Sequence, residues 1–439
     1  MIFITTLLYA AVISFMANSF ILIRQFPQAL VAMVPVFVLL NLFAGCFAIK
    51  THNKKVRICH HGAVLLTAFY VSVIVSIIYQ LCLALRTIPD NYMTFVWSLL
   101  LCIGVNTIVF WNGILCVYFT SSQMGIKMRL IGFVCGMIPI VNLVVLFFII
   151  RIAFKECYFE VKRENTNAQR ISQKICATKY PILLVHGVFF RDTRYFNYWG
   201  RIPKELELHG ATIFYGNQPS AVSVADSASA LKERILTILK ETGSEKVNII
   251  AHSKGGLDCR YAISRLGLSD CVASLTTINT PHRGCLFADY LLEHIPQDIK
   301  DKVANTYNVT LRKIGKENAD FLAAVYDLTD SHCQQLDADM VAPEGVYCQS
   351  VGSVMPKATG GQFPLNFSYH LVKYFDGEND GLVSETSFAW GENYILLRPA
   401  GTRGISHGDM IDLNRENIEG FDVREFYVEL VRDLKDRGL

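Results

Sequence analysis

The sequence predicts an α/β domain with a mostly parallel sheet, preceded by an all-α transmembrane region. Two observations divide the 439 residues in this way. Residues 1–150 hold five long apolar stretches and a single acidic residue, Asp90. After residue 178, short apolar runs alternate with amphipathic segments. That alternation is typical of a parallel sheet with helices on both faces.

The apolar stretches are close to the roughly 20 residues that a helix needs to cross a bilayer. They are residues 1–23, 29–49, 62–85, 94–119 and 130–150, and Lys/Arg-containing loops separate them. The distribution of Lys and Arg over these loops favours an extracytoplasmic domain after the last span. Arg151 and Lys155 directly follow that span and favour the opposite orientation. We therefore expect a multi-pass protein of the cell membrane, with the extracytoplasmic side favoured for the domain.

The domain boundaries follow from changes in composition. Residues 1–153 form the multi-span region of about five helices, and the polar segment 154–178 is a juxtamembrane linker. Residues 179–439 form the α/β domain, in which about 286–345 has helical spacing and no strand signal. This insertion is either a cap over a site or a packed helical segment without a gating role. The soluble half has no basic stripe, so we expect no nucleic-acid partner.

A serine stands in the most informative motif, Lys246–Gly256, which reads KVNIIAHSKGG. A buried strand is predicted before Ser253 and a helix after it, with small residues at Ala251 and Gly255. This is the pattern of a nucleophile elbow, in which a sharp turn exposes a serine hydroxyl at the sheet edge. Ser253 is the candidate nucleophile.

Such a serine needs a histidine base, and the base needs a carboxylate that orients it. His407 lies in a glycine-flanked loop after the last predicted strand, and Asp380 lies in an Asn-Asp-Gly turn upstream of it. We expect His407 to be the base and Asp380 the acid, with Asp376 as the alternative acid and His282 as the alternative base. The remaining histidines after Ser253 are His294, His332 and His370.

The oxyanion of an acyl transfer reaction needs two backbone N–H donors. One comes from the residue after the nucleophile and one from a loop that follows an early strand. Lys254 occupies the first place. The apolar run Tyr180–Gly187 ends in His-Gly and is followed by Val188, which occupies the second place.

Taken together, these motifs resemble the bacterial triacylglycerol lipases of the α/β-hydrolase superfamily, both the Pseudomonas/Burkholderia type and the Bacillus type. The similarity covers residues 179–292 and 376–413. The residues that carry it are Tyr180–Gly187, Lys246–Ser253, Thr280–Gly284, Asn379–Ser384 and His407–Asp409. The resemblance implies an α/β-hydrolase fold, in which the helical insertion at about 286–345 would be the cap. It also implies Ser253, Asp380 and His407 as catalytic residues, with the N–H groups of Val188 and Lys254 as the oxyanion hole.

The resemblance also bears on metals, because some members bind a structural calcium near the catalytic histidine. Asp409 matches one ligand position, whereas Leu413 stands where those members have an oxygen donor. Asp409 is therefore a weak calcium candidate, and we expect no required cofactor.

The expected function is a membrane-anchored serine ester hydrolase of lipase or esterase type. Its expected partners are an acyl ester, such as a lipid, and the bilayer. Two alternatives stay open. In the first alternative, the chain is an acyltransferase or deacylase of a lipid-linked glycan or protein. In the second, it is a non-catalytic membrane sensor with a hydrolase-like domain.

Overall fold

The computed structural model describes residues 2–188, 197–219, 221–302, 305, 320–341, 343–398 and 401–439. The chain divides into two compact units, Met1–Gln169 and Arg170–Leu439.

The first unit is helical in its described residues. Its helices are α1 (Ile2–Ala17), α2 (Phe20–Gln25), α3 (Ala29–Phe43), α4 (Lys54–Thr120), α5 (Gly125–Cys135) and α6 (Val141–Arg170). Helix α4 is interrupted at Asn91, whose φ of −155° and ψ of 79° are not helical. Its two arms fold back and pack closely against each other at Gly62 and Gly113. A Cβ on Gly62 would lie 2.7 Å from the carbonyl oxygen of Gly113. Glycine at both positions permits this close approach.

The helices follow the five apolar stretches only in part. Stretches three and four are the two arms of α4, whereas stretch one is divided between α1 and α2. Stretch five is divided between α5 and α6, with Ile140 at a φ of 69° directly after Pro139. Within the described residues, α4 alone is long and apolar enough to cross a membrane by length and composition. A core helix of a soluble protein passes the same test, so the five spans stay a prediction.

The segment expected to be a linker, 154–178, is helical over its first part. Residues 154–170 continue α6, and their acidic side chains pair with loops of the first unit. Glu156 accepts hydrogen bonds from Ser121 Oγ at 2.5 Å and from the Ser122 N–H at 2.8 Å. Glu164 accepts a hydrogen bond from Thr51 Oγ1 at 2.5 Å. These hydrogen bonds thus stabilise the helical conformation of residues 154–170, in which apolar residues do not recur with a strong helical spacing.

The second unit contains a six-stranded sheet. Its strands are β1 (Ile182–Val185), β2 (Ile213–Tyr215), β3 (Val247–His252), β4 (Val272–Ile278), β5 (Tyr347–Ser353) and β6 (Asn393–Leu397). The spatial order is β2-β1-β3-β4-β5-β6, and all five neighbouring pairs are parallel. The predicted parallel sheet is confirmed.

Helices cover both faces of this sheet. They are α7 (Ile202–Leu208), α8 (Val224–Thr242), α9 (Lys254–Arg265), α10 (Leu286–His294), α11 (Phe321–Tyr326), α12 (Asp330–Asp339), α13 (Leu365–Asp376) and α14 (Val423–Asp436). Alternate residues of β1 face opposite sides. Ile182 packs in one core with α7 and α14, and Leu183 packs in the other with α8 and α9. The strands are therefore buried on both faces, and their carboxyl ends meet at one edge.

The region predicted as a cap, about 286–345, contributes α10, α11 and α12 between β4 and β5. Residues 303–304, 306–319 and 342 of this region lie outside the described residues. Helix α13, between β5 and β6, was not predicted from the sequence.

Candidate active site

Ser253 lies at the junction of β3 and α9, at the carboxyl edge of the sheet. Its φ of 57° and ψ of −134° are unusual for a residue with a side chain. The backbone is held there from both sides, since the Ser253 N–H donates to the Ile278 carbonyl at 2.9 Å. Thr280 Oγ1 donates to the Ser253 carbonyl at 2.8 Å. The turn has the strained geometry expected of a nucleophile elbow.

The glycines after Ser253 are required by close contacts. A Cβ on Gly255 would lie 2.5 Å from the carbonyl oxygen of His186, at the end of β1. A Cβ on Gly256 would lie 2.2 Å from Thr280 Oγ1. Any larger residue would push α9 away from the sheet, which explains the small-residue pattern around the serine.

Asp380 and His407 form a direct contact. His407 Nδ1 lies 2.6 Å from Asp380 Oδ2, and the His407 N–H donates to the Asp380 carbonyl at 2.9 Å. Asp380 is fully buried, and its Oδ1 accepts the N–H groups of Leu382 and Val383, each at 2.8 Å. Asn279 Nδ2 donates to Oδ2 at 2.6 Å. Three donors besides the His407 ring thus hold the carboxylate in place.

His252 connects this pair to the elbow. Its ring centroid lies 4.5 Å from that of His407, and its Nε2 lies 3.2 Å from the His407 carbonyl oxygen. Its Nδ1 lies 2.7 Å from Tyr198 Oη. Burial, followed by the neighbouring His407, holds the pKa of His252 well below its usual value, so the ring is neutral. A neutral ring with the proton on Nε2 satisfies both contacts.

The loop after β1 lies against the serine. A Cβ on Gly187 would be 2.8 Å from Ser253 Cβ and 3.3 Å from its Oγ. The Gly187 N–H donates to Tyr198 Oη at 3.1 Å. The next residue, Val188, is buried. Lys254 begins α9, so its N–H has no acceptor within the helix. Of the two residues predicted as oxyanion donors, Lys254 directly follows Ser253, and Val188 directly follows Gly187, which lies against the serine.

The Lys254 side chain is also buried and pairs with the carboxylate of Asp258. Its Nζ donates to Asp258 Oδ1 at 2.6 Å and to Ser227 Oγ at 3.1 Å. Burial raises the pKa of Asp258, and the Lys254 ammonium opposes that rise. The pair anchors the first turn of α9 beneath the elbow.

Comparisons with known proteins find relatives among the triacylglycerol lipases. No family model matches the chain. A triacylglycerol lipase of Pseudarthrobacter phenanthrenivorans is 36% identical over 166 residues, which are 35% of this chain and 51% of that protein. A triacylglycerol lipase of Vibrio cholerae is 30% identical over 253 residues, which are 52% of this chain and 80% of that protein. The chain belongs to the triacylglycerol lipase family.

The match to individual lipases differs in extent. The chain spans about half the length of the Pseudarthrobacter lipase and 46% of a Burkholderia plantarii lipase that is 36% identical. Among solved structures, mature Bacillus licheniformis lipase BlEst2 aligns with 58% of this chain and 92% of its own, at 21% identity and a TM-score of 0.44.

The alternative residues of this lipase family member have other contacts. His282 lies 3.1 Å from Arg260 Nη1 and 2.9 Å from Thr277 Oγ1, and its ring stacks on Trp390. Asp376 accepts the N–H groups of Leu286 and Phe287, each at 3.3 Å, and so caps α10. His294, His332 and His370 contact Tyr290, Asp327 and Tyr369, respectively.

The calcium candidate has a different role in this lipase family member. Arg403 donates to Asp409 Oδ2 at 2.8 Å and to Oδ1 at 3.2 Å. Ser406 adds two hydrogen bonds of 2.7 Å to Oδ2, from its N–H and its Oγ. Within the described residues, no group of three or more His, Cys, Asp and Glu side chains could hold a metal. A carboxylate already paired with a guanidinium does not fit a calcium ligand.

Three residues that connect Ser253 with the His407–Asp380 pair were not predicted from the sequence. His252 stands inside the elbow motif, directly before Ser253, and this position is a signal in the sequence. Asn279 directly follows β4, where a carboxyl-end residue can reach the site. Tyr198 lies on a segment between β1 and α7 and had no sequence signal.

Proposed function

We propose that this chain is a membrane-anchored serine ester hydrolase of lipase or esterase type. The observation that carries the proposal is the 2.6 Å contact between His407 Nδ1 and the buried Asp380, with the His407 ring 4.5 Å from that of His252, which directly precedes Ser253. A histidine held in this way keeps its proton on Nδ1 and leaves Nε2 free to accept another. Membership of the triacylglycerol lipase family supports an acyl ester as the substrate.

In the proposed reaction, Ser253 Oγ attacks the ester carbonyl carbon while His407 Nε2 takes the hydroxyl proton. The Val188 and Lys254 N–H groups stabilise the oxyanion of the tetrahedral intermediate. The intermediate collapses, the ester C–O bond breaks, and His407 gives its proton to the leaving alcohol. Water then attacks the acyl-Ser253 ester with His407 as base, which releases the carboxylic acid and restores the serine.

Exposed apolar surface supports the membrane anchor. On the first unit, Leu85 is 81% exposed, Phe119 is 82% exposed and Met137 is 88% exposed. The exposure of many large apolar side chains is unfavourable in water and favourable in the hydrocarbon of a bilayer. A tethered enzyme would draw its acyl esters from the membrane. Protease accessibility of the second unit in intact cells tests the proposed extracytoplasmic side.

A fluorophosphonate probe tests the chemistry. The full chain in detergent should be labelled once, at Ser253, and Ser253→Ala should not be labelled. Hydrolysis of a panel of lipid esters should be lost in the same variant. A folded wild-type chain that neither reacts with the probe nor cleaves any ester would favour the non-catalytic sensor. Transfer of the acyl group to an added alcohol in preference to water would favour the acyltransferase.

A further inference from the structure

The backbone of Asn279 has a conformation that favours glycine. Asn279 directly follows β4 at the carboxyl edge of the sheet, and its φ is 46°. Its N–H donates to the Val351 carbonyl of β5 at 2.8 Å. The next residue, Thr280, donates from its Oγ1 to the Ser253 carbonyl at 2.8 Å. Glycine adopts a positive φ without the steric cost that a Cβ adds, so this turn does not by itself require asparagine.

The Asn279 side chain is fully buried and contacts the proposed catalytic acid. Its Nδ2 donates to Asp380 Oδ2 at 2.6 Å and to Ser353 Oγ at 2.7 Å. Because an ionised carboxylate only accepts hydrogen bonds, the amide atom that faces Asp380 must be the nitrogen. The same Oδ2 lies 2.6 Å from His407 Nδ1. Asn279 and His407 therefore share one oxygen of the acid.

The other amide atom of Asn279 lacks a hydrogen-bond donor. Its Oδ1 is buried, and none of the described residues donates to it. A buried acceptor without a donor is destabilising, and so is a positive φ at a residue with a side chain. Asn279 thus has two features that lower stability, at a position where glycine would avoid both. Local strain of this kind is typical of functional sites.

The contact with Asp380 accounts for an asparagine at this position. The N–H groups of Leu382 and Val383 hold Asp380 Oδ1, whereas Asn279 holds Oδ2, the oxygen that contacts the His407 ring. Donors on both oxygens set the plane of the carboxylate. That plane in turn sets the direction in which His407 Nδ1 is held.

We propose that Asn279 is a positioning residue of the hydrolase. Its amide fixes Asp380 Oδ2 and so holds the His407 ring in the orientation that the reaction at Ser253 needs, while it contributes little to the stability of the fold. This inference rests on the proposed function, because it assumes that Asp380 and His407 take part in the reaction.

Asn279→Gly tests the proposal, because it removes the amide and suits the positive φ. With a p-nitrophenyl ester and the full chain in detergent, kcat should fall about tenfold to a hundredfold, since small misplacements are costly in catalysis. KM should be nearly unchanged. The unfolding temperature should stay close to that of the wild type, because two unfavourable features are lost together with two hydrogen bonds. A kcat within about twofold of the wild-type value would overturn the proposal.

Asn248→Ala is the matched control, a second buried asparagine of the sheet. Asn248 lies near the amino end of β3, and its Oδ1 accepts a hydrogen bond from Ser274 Oγ at 2.7 Å. The variant should unfold at a lower temperature, but its kcat should fall much less than that of Asn279→Gly. Equal losses of kcat and of unfolding temperature in the two variants would mean that Asn279 acts only through stability, and would overturn the proposal.

Asn279→Asp separates positioning from a structural link between β4 and Ser353. An aspartate has nearly the same shape and can still accept the Ser353 hydroxyl, but it turns a second carboxylate toward Asp380 Oδ2. Because like charges repel at this distance, kcat should be lower than in Asn279→Gly. A purely structural link predicts the reverse order, and that order would overturn the proposal.

Ser253→Ala distinguishes a failure of this inference from a failure of the proposed function. Ester hydrolysis that persists in Ser253→Ala would overturn both. Hydrolysis that is lost in Ser253→Ala but proceeds with the wild-type kcat in Asn279→Gly would overturn the role of Asn279 alone.

Discussion

The ring of His252 donates a hydrogen bond of 3.2 Å to the main-chain carbonyl of His407. His252 directly precedes Ser253, so this bond joins the elbow to the loop that carries the proposed base. Through its other nitrogen, His252 contacts Tyr198, which accepts the N–H of Gly187 beside Val188. One buried hydrogen-bonded series therefore connects all three parts of the proposed site through His252 and Tyr198, neither of which has a part in the proposed reaction.

The first prediction concerns Tyr198 as a positioning residue. Tyr198→Phe removes the hydroxyl between Gly187 and His252. This loss should misplace the loop of Gly187 and Val188 and the loop of His407 relative to Ser253. We expect kcat for a p-nitrophenyl ester to fall about tenfold to a hundredfold, with KM nearly unchanged, because small misplacements are costly in catalysis.

Tyr427→Phe is the matched control for this variant. Tyr427 is also buried, but its hydroxyl donates to the Met410 carbonyl at 2.9 Å, within the core beside α14. Its loss should cost about 1 kcal/mol of unfolding free energy and lower kcat much less than Tyr198→Phe does. Equal losses of kcat in both variants would mean that Tyr198 acts only through stability.

The second prediction separates the two candidate acids. Asp380→Asn keeps the size of the side chain but presents an amide to His407 Nδ1, which favours the wrong tautomer. We expect kcat to fall by about three to four orders of magnitude, as in other triads. Asp376→Asn should retain most of the activity, because Asp376 only caps α10 and an asparagine also caps helices. An inactive Asp376→Asn variant together with an active Asp380→Asn variant would make Asp376 the acid that orients His407.

The parts of this protein that were predictable from sequence are those set by local pattern. The elbow around Ser253 needs small residues at fixed spacing, and the buried strands are short apolar runs. Such signals are readable without the fold. Helix α13 was not predicted, although it begins directly after Pro364 and its apolar residues have helical spacing. The contacts of Tyr198 and Asn279 with the site could not be predicted, because neither residue stands in a motif with a fixed spacing from Ser253. These contacts form only when segments distant in sequence pack together in the fold.

The third prediction is a dependence of stability on pH through His282. Burial, and then Arg260 and Arg283, hold the pKa of His282 well below its usual value. Its pKa in the unfolded chain is about 6.5, so between the two values the unfolded chain binds more protons than the folded chain does. Stability from this residue is therefore present above about pH 6.5 and is lost as the pH falls.

This histidine should contribute up to about 1.4 kcal/mol per pH unit to the slope, and His282→Asn should reduce the slope by that amount. The contribution of His252, whose pKa is also held low, remains in the variant. The measurement is thermal unfolding of the full chain in detergent between pH 7.5 and 5, followed by tryptophan fluorescence, because Trp390 stacks on His282. His294→Asn is the control, since His294 is exposed on α10. Identical pH slopes for wild type and His282→Asn would contradict the prediction.

The fourth prediction concerns the pairing of Asp409 with Arg403. Because the guanidinium already occupies both carboxylate oxygens, EDTA should leave ester hydrolysis and the unfolding temperature unchanged. Arg403→Ala should leave Asp409 buried without its counter-ion, at a cost of about 2–4 kcal/mol in unfolding free energy. Since Asp409 also receives the Ser406 N–H, the loss should loosen the loop that carries His407 and lower kcat.

Arg398→Ala gives the comparison for an exposed arginine. Arg398 pairs with Glu378 and Glu385 at the surface, so its loss should cost less than about 1 kcal/mol. Chemical denaturation of the two variants with and without EDTA, followed by initial rates on a soluble ester, measures both effects. A drop in stability with EDTA that calcium restores in the wild type would show that a cation replaces Arg403 at Asp409.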